Sequence, residues 1–166
     1  MSSVTRLSLA LVIGSILILS SCGKQDNSLD TANTNDQDNL AIARSMYATL
    51  LAGDMAGAYA LMAGDITWTY YGGEGQIPFS GVYTGHAGIE RFFADYGAVA
   101  TPLGMEIESY SASGDTIFVK GIEKARINAT GKEYAAPWVH VIKIKDKKIV
   151  SYEEHIDSAL VAAAFE

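Results

Sequence analysis

Cysteine occurs once in the 166 residues, at Cys22, so no disulfide can form within the chain. Basic residues are the second scarcity: 12 Lys and Arg stand against 19 Asp and Glu, the net charge is −7, and the cations nowhere cluster. This balance argues against nucleic acid as a partner and against electrostatic docking on anionic lipid. The CxxC, HExxH and GxSxG signatures are missing, as are a phosphate-cradling glycine loop and any internal repeat. The long apolar run from Leu7 to Leu19 is too short and too close to the start to favour a permanent transmembrane helix.

That run has the flanks of a secretory signal peptide: a positive charge at Arg6 before it and small residues after it. The end of the run and the three small residues after it, LSSC at Leu19 to Cys22, resemble the lipobox of bacterial lipoproteins, in which the cysteine is acylated and becomes the mature N-terminus. The resemblance implies export and lipidation at Cys22, with the protein held to the cell envelope on its periplasmic side or at the cell surface. The alternative is an ordinary secreted protein with an incidental cysteine. Stable anchoring takes more than one acyl chain. Loss of residues 1–21 removes Arg6 and no acid, taking the net charge from −7 to −8. Residues 22–38 are almost wholly polar and cannot bury enough surface to offset their chain entropy, so they are expected to form a flexible tether. Residues 39–166 then fit one domain of ordinary size.

Within that domain, Asp38 or Asn39 is placed to cap a helix in which Leu40, Ala43, Tyr47, Leu50 and Leu51 fall at helical spacing, stopped near Gly53. Asp54 is placed to cap a second, short helix carrying Tyr59 and Leu61. Residues 65–71, DITWTYY, have the β-branched and aromatic content of a strand, and the glycines and proline of 72–85 mark a loop. Ile89, Phe92, Phe93 and Tyr96 make one apolar face of a third helix. Strand-like runs follow around 105–111 and 116–127, separated by Ser113-Gly114-Asp115. A turn at 128–131 leads into a final hairpin, and Asp157 starts a closing helix. Two helices, a strand, a helix and four strands in meander order predict an α+β fold: one curved antiparallel sheet, a cone-shaped barrel closed on its concave side by helices. Such a cone leaves an interior pocket suited to an apolar ligand.

The hairpin, PWVHVIKIKDKKIVSYEEHID at 137–157, carries the chemistry. Alternation puts Trp138, His140, Ile142 and Ile144 on one face of its first strand, and Val150, Tyr152, Glu154 and Ile156 on one face of its second. A two-residue loop at Asp146-Lys147 would strand Val150, Tyr152 and Ile156 on the wrong side. A three-residue loop, Lys145-Asp146-Lys147, lets the apolar rows agree, with His140 facing Tyr152, Glu154 facing Trp138, and φ > 0 at Lys147. A carboxylate in that apolar row loses hydration, so its pKa rises toward the range where an acid or base works best, and His140 is near enough to hold or share the proton. The bland alternative is a mutually satisfied buried pair that fixes the sheet. Trp68, Tyr70 and Trp138 either line the cavity or fill core, with Phe93 and Tyr152 beside them. Tyr83 either donates a hydrogen bond to a ligand carbonyl or packs beside the third helix. Asp157 is either a pocket acid or the N-cap of the last helix. His86 is expected at the surface, and His155 points away from the pocket. No metal is implied, because His140 and Glu154 lack a third ligand, and no cofactor is implied.

The run WTYYGGEGQIPFSGVYTGHAGIERFF at 68–93 resembles the strand, loop and helix of SnoaL-like, ketosteroid-isomerase-related proteins. TGKEY at 130–134, WVHVIKIKDKKI at 138–149 and EEHID at 153–157 resemble that family's last three strands. The resemblance implies the nuclear-transport-factor-two-like fold, frequently dimeric, which hosts isomerases, cyclases, epoxide hydrolases, dehydratases and proteins without chemistry. His140 stands where the family has a pocket histidine. Glu154 stands where SnoaL-type cyclases carry an acid–base Asp, one methylene shorter, and Asp157 matches a frequent family Asp. Three roles are expected: proton transfer on a carbonyl compound by Glu154 with His140, binding or carriage of a small, largely apolar molecule without turnover, or a dimeric interaction module.

Overall fold

The computed structural model describes residues 28–73 and 75–166, with side chains from residue 34 onward. The signal peptide, Cys22 and the first part of the tether lie outside the described residues. The elements are α1 (Ser28–Leu51), α2 (Met55–Leu61), β1 (Met62–Tyr71), β2 (Gly81–Thr84), α3 (Gly85–Val99), β3 (Ala100–Ser113), β4 (Thr116–Ile127), β5 (Glu133–Lys145), β6 (Lys148–Ile156) and α4 (Ser158–Phe165). Among the described residues no helix is long and apolar enough to cross a membrane.

The α+β class is as expected, and the sheet order is β2-β1-β6-β5-β4-β3. One pairing differs from the expected antiparallel meander: β1 lies parallel to β6, with Trp68 opposite Tyr152 and Tyr70 opposite Glu154, so the sheet is mixed. The segment expected as loop also contains β2, an edge strand pairing Tyr83 with Trp68. Burial alternates residue by residue along β4 and β5, as it must where one sheet face meets the core and the other meets water. Extra residues in β3, between Pro102 and Gly104 and again between Ile107 and Ser109, bend that strand, as β-bulges do.

Helix α1 begins at Ser28, so the stretch 28–38 is helical rather than tether, and Asn39 is an interior residue rather than a cap. Long-range contacts explain the difference. Asn39 Nδ2 donates to Gly114 O at 3.0 Å, and Gly114 N donates to Asp36 Oδ1 at 3.0 Å, pinning the helix to the β3–β4 turn. A polar segment thus finds tertiary partners that its composition does not reveal. Asp54 does cap α2, accepting from Gly57 N at 2.9 Å.

The closing hairpin corrects the expected register. Its turn has two residues, Asp146 and Lys147, both left-handed with φ of 51° and 60°, as a type I′ turn requires. Ile144 consequently lies opposite Ile149. Parity is restored inside β6, because Lys143 pairs with Ser151 and leaves Val150 as an extra residue. Ile149 is therefore buried and Val150 only partly so. Beyond the bulge Ile142 faces Tyr152 and His140 faces Glu154 directly, where His140–Tyr152 and Trp138–Glu154 had been expected. The two ionisable groups share the inner face, as the alternation demanded.

Candidate functional site

His140 sits at the centre of β5, fully buried beneath Trp138, whose ring stacks on the imidazole with centroids 3.8 Å apart. Trp138 can lie flat there because Gly121 faces it from β4. A Cβ at Gly121 would come within 2.4 Å of the indole and 2.2 Å of Glu106 O. The imidazole Nδ1 is approached by two phenol hydroxyls, Tyr47 of α1 at 2.6 Å and Tyr152 of β6 at 2.5 Å. Burial pushes the imidazole pKa down to about 3, so His140 is neutral at physiological pH. With Nδ1 accepting from a phenol, the ring proton resides on Nε2. That nitrogen points at Glu154 Oε1 across 3.6 Å, too far for a hydrogen bond, and neither atom has another partner.

Glu154 is 3% exposed, and burial pushes its carboxyl up to about 8. The contact with His140 is therefore not an ion pair near neutrality, since burial keeps both groups uncharged. Oε1 is enclosed on the His140 side, which leaves Oε2 as the oxygen available to the adjoining cavity. The Nε2–H faces Oε1 and favours lone pairs there, so the acid proton belongs on Oε2. Glu154 thus presents an O–H to the cavity below about pH 8 and a carboxylate above it.

The cavity has a volume of about 350 Å³. Its buried end is made by Trp68 and Tyr70 of β1, Tyr152 and Glu154 of β6, Phe92 of α3 and Glu123 of β4. Exposed lining residues, among them Leu51, Phe93, Pro102 and Gly104, form its mouth at the end of α1 and the first bulge of β3. Trp68 stacks on Tyr152 at 3.7 Å, and the buried Tyr70 hydroxyl has no partner.

Of the residues proposed from sequence, Glu154, Trp68, Tyr70, Tyr152 and Phe93 line this space. Four do not. His140 lies behind Glu154 and reaches the cavity only through it. Trp138 is the layer beneath His140 rather than a wall. Tyr83 packs under α3, its hydroxyl donating to Phe79 O at 3.1 Å. Asp157 is exposed and accepts from Leu160 N at 3.3 Å, the geometry of an N-cap, so it is not a pocket acid. His155 is exposed on the outer face, as expected. His86 is half-buried and stacks on Tyr59 at 4.6 Å, contrary to the surface position expected of it.

Glu123 is the buried cavity acid that the sequence reading missed. It is 8% exposed, lines the same cavity, and accepts a hydrogen bond from the Tyr134 hydroxyl. Burial raises its carboxyl to about 7, and the neighbouring Glu154 adds to the rise. The signal was present: Glu123 stands in the row Ile117, Val119, Gly121, Ala125 and Ile127, the apolar face of β4. Among the described residues no three metal-ligating side chains converge.

A family model described as SnoaL-like domain matches residues 43–152, well over half the chain, from within α1 to Tyr152 in β6. The chain belongs to the SnoaL-like domain family. Solved structures agree. An NTF2-like protein from Burkholderia xenovorans is 26% identical and superposes with a TM-score of 0.69 over 79% of this chain and 98% of that one. One from Burkholderia thailandensis is 27% identical, with a TM-score of 0.71 over 77% and 97%. TerC, co-crystallised with polyporic acid, is 25% identical, with a TM-score of 0.67 over 76% and 97%. No curated protein matches. In this SnoaL-like chain the cavity lies between the helices and the inner sheet face, and Glu154 and Glu123 are the two buried carboxyl groups at its closed end.

Proposed function

We propose that this SnoaL-like domain binds a small, largely apolar molecule in the cavity and transfers a proton on it through Glu154, as in isomerisation, cyclisation or dehydration of a carbonyl compound. One observation carries the reading: a carboxyl group 3% exposed, its Oε2 left to the cavity, closes a largely apolar space of about 350 Å³. That volume is in the range of ligand sites, which start near 300 Å³. A carboxyl held to about 8 can exchange its proton near neutral pH, as general acid–base catalysis needs. His140 acts as a positioning residue: its Nδ1 is taken up by Tyr47 and Tyr152, which aims Nε2–H at Oε1 and leaves Oε2 to meet the ligand. The ligand seen with TerC adds support for small-molecule binding as a property of this fold. Export and anchoring through Cys22 belong to the same proposal and rest on the signal-peptide pattern and the LSSC motif.

Two measurements test this. Native mass spectrometry of the protein purified from its host reports any co-purifying molecule. Deuterium exchange at the α-carbon of enolisable ketones, with and without Glu154→Gln, reports proton transfer. Exchange that depends on Glu154 and rises through about pH 8 is expected if the carboxylate is the base. Binding without Glu154-dependent exchange would remove the catalytic half and leave a carrier. Labelling with a radioactive fatty acid, lost in Cys22→Ser, tests the anchor.

A further inference from the structure

The cavity holds two carboxyl groups and no buried cation to answer them. Glu154 and Glu123 lie on different strands, β6 and β4, and both line the same closed end. The cationic side chain on the lining, Lys124, is 51% exposed at the mouth and its ammonium lies 3.8 Å from Glu106 outside. His140, behind Glu154, is neutral and turned to the two phenols. Buried acids normally have a cationic partner or pay for its absence. Glu123 has the Tyr134 hydroxyl, which is a donor but not a charge, and Glu154 has only the neutral His140 behind it, 3.6 Å from Oε1, with Oε2 left to the cavity. The same cavity is lined by the aromatic side chains of Trp68, Tyr70, Phe92, Phe93 and Tyr96. An aromatic enclosure of this kind attracts weakly hydrated cations through the ring quadrupoles.

We propose that the ligand of this cavity carries a cationic nitrogen, an apolar amine or quaternary ammonium, whose charge sits between Glu123 and Glu154 while its hydrocarbon part fills the aromatic walls. The assignment rests on the cavity being a ligand site, as proposed above, and adds the chemical class. The raised pKa values of both acids, about 7 and about 8, are what two carboxyls sharing an apolar hollow show in the absence of such a charge. An acidic chain, net −7, also favours the approach of cations over anions.

The test compares two probes of equal shape, phenyltrimethylammonium and its uncharged isostere tert-butylbenzene, titrated at pH 8 into the purified protein with tryptophan fluorescence or calorimetry as readout. The cation is expected to bind at least about tenfold more tightly than the isostere. Glu123→Gln and Glu154→Gln are each expected to shrink that ratio severalfold. The wild-type ratio needs no variant, so a misfolded variant leaves the test intact. If tert-butylbenzene binds as well as the cation, the cationic class is wrong while the cavity remains a ligand site. If neither binds, the ligand-site reading falls with it. If the cation is preferred but both variants keep the preference, another group holds the charge and the assignment to these two acids is overturned.

Discussion

Glu154→Gln should change the stability of this protein in a way that depends on pH, and the dependence can be worked out in advance. The buried carboxyl of Glu154 is raised from the ordinary 4.5 to about 8. In the unfolded chain the group gives up its proton above about 4.5, while the folded chain retains it to about 8, so each pH unit in that window favours unfolding. The stability of the neutral acid is thus complete below 4.5 and is lost as pH rises through 8. At about 1.36 kcal/mol per unit, a window of 8 − 4.5 = 3.5 units corresponds to about 5 kcal/mol. Because Glu123 is raised partly by Glu154, the two acids titrate as a pair, and roughly 3–5 kcal/mol is the fair expectation for one substitution. Glutamine keeps the shape and cannot ionise, but its amide brings donors with no partner, at a cost of about 1–3 kcal/mol at every pH. Urea unfolding followed by the fluorescence of the buried Trp68 and Trp138 should therefore show the variant weaker than wild type at pH 5 and stronger at pH 9. The two curves of stability against pH should cross in between. Parallel curves would mean that Glu154 titrates as an exposed acid does, and the proton-transfer proposal would go. His140 works in the opposite sense. Its pKa is lowered from 6.5 to about 3, so its contribution is present above 6.5 and is lost as pH falls toward 3.

Gly121→Ala would drive a methyl group into the Trp138 ring and Glu106 O, and the overpacking should cost about 1–3 kcal/mol in denaturant melts while disturbing the Trp138–His140 stack. Lys147→Gly relieves a left-handed residue, φ 60°, in the type I′ turn, and a gain of about 1 kcal/mol in the same assay is expected. Asp157→Ala removes a helix cap and should cost about 1 kcal/mol. Ligand affinity should be unaltered, because Asp157 is exposed and does not line the cavity, whereas a pocket acid would move affinity.

The amino-acid order alone determines a good deal of this molecule. Alternation along 138–144 and 152–156 places His140 and Glu154 on one inner face, and the same periodicity in 117–127 carries Glu123. Helix stops, the Asp54 and Asp157 caps and the turn at 128–131 are local, because they depend on neighbours within a few residues. What the chain could not declare is how distant rows meet. The Val150 bulge decides which residue faces His140, and it arises because an I′ turn and a continuous apolar row cannot both hold without one spare residue. The parallel partnership of β1 with β6 brings Tyr70 beside Glu154, and α1 delivers Tyr47 to Nδ1 of a histidine 93 positions away. Composition marked residues 28–38 as tether, yet Asp36 and Asn39 hold a turn 78 and 75 residues further on. Period and capping live in short windows of sequence, whereas the protonation state of a buried acid depends on every wall around it, and only the folded chain builds those walls.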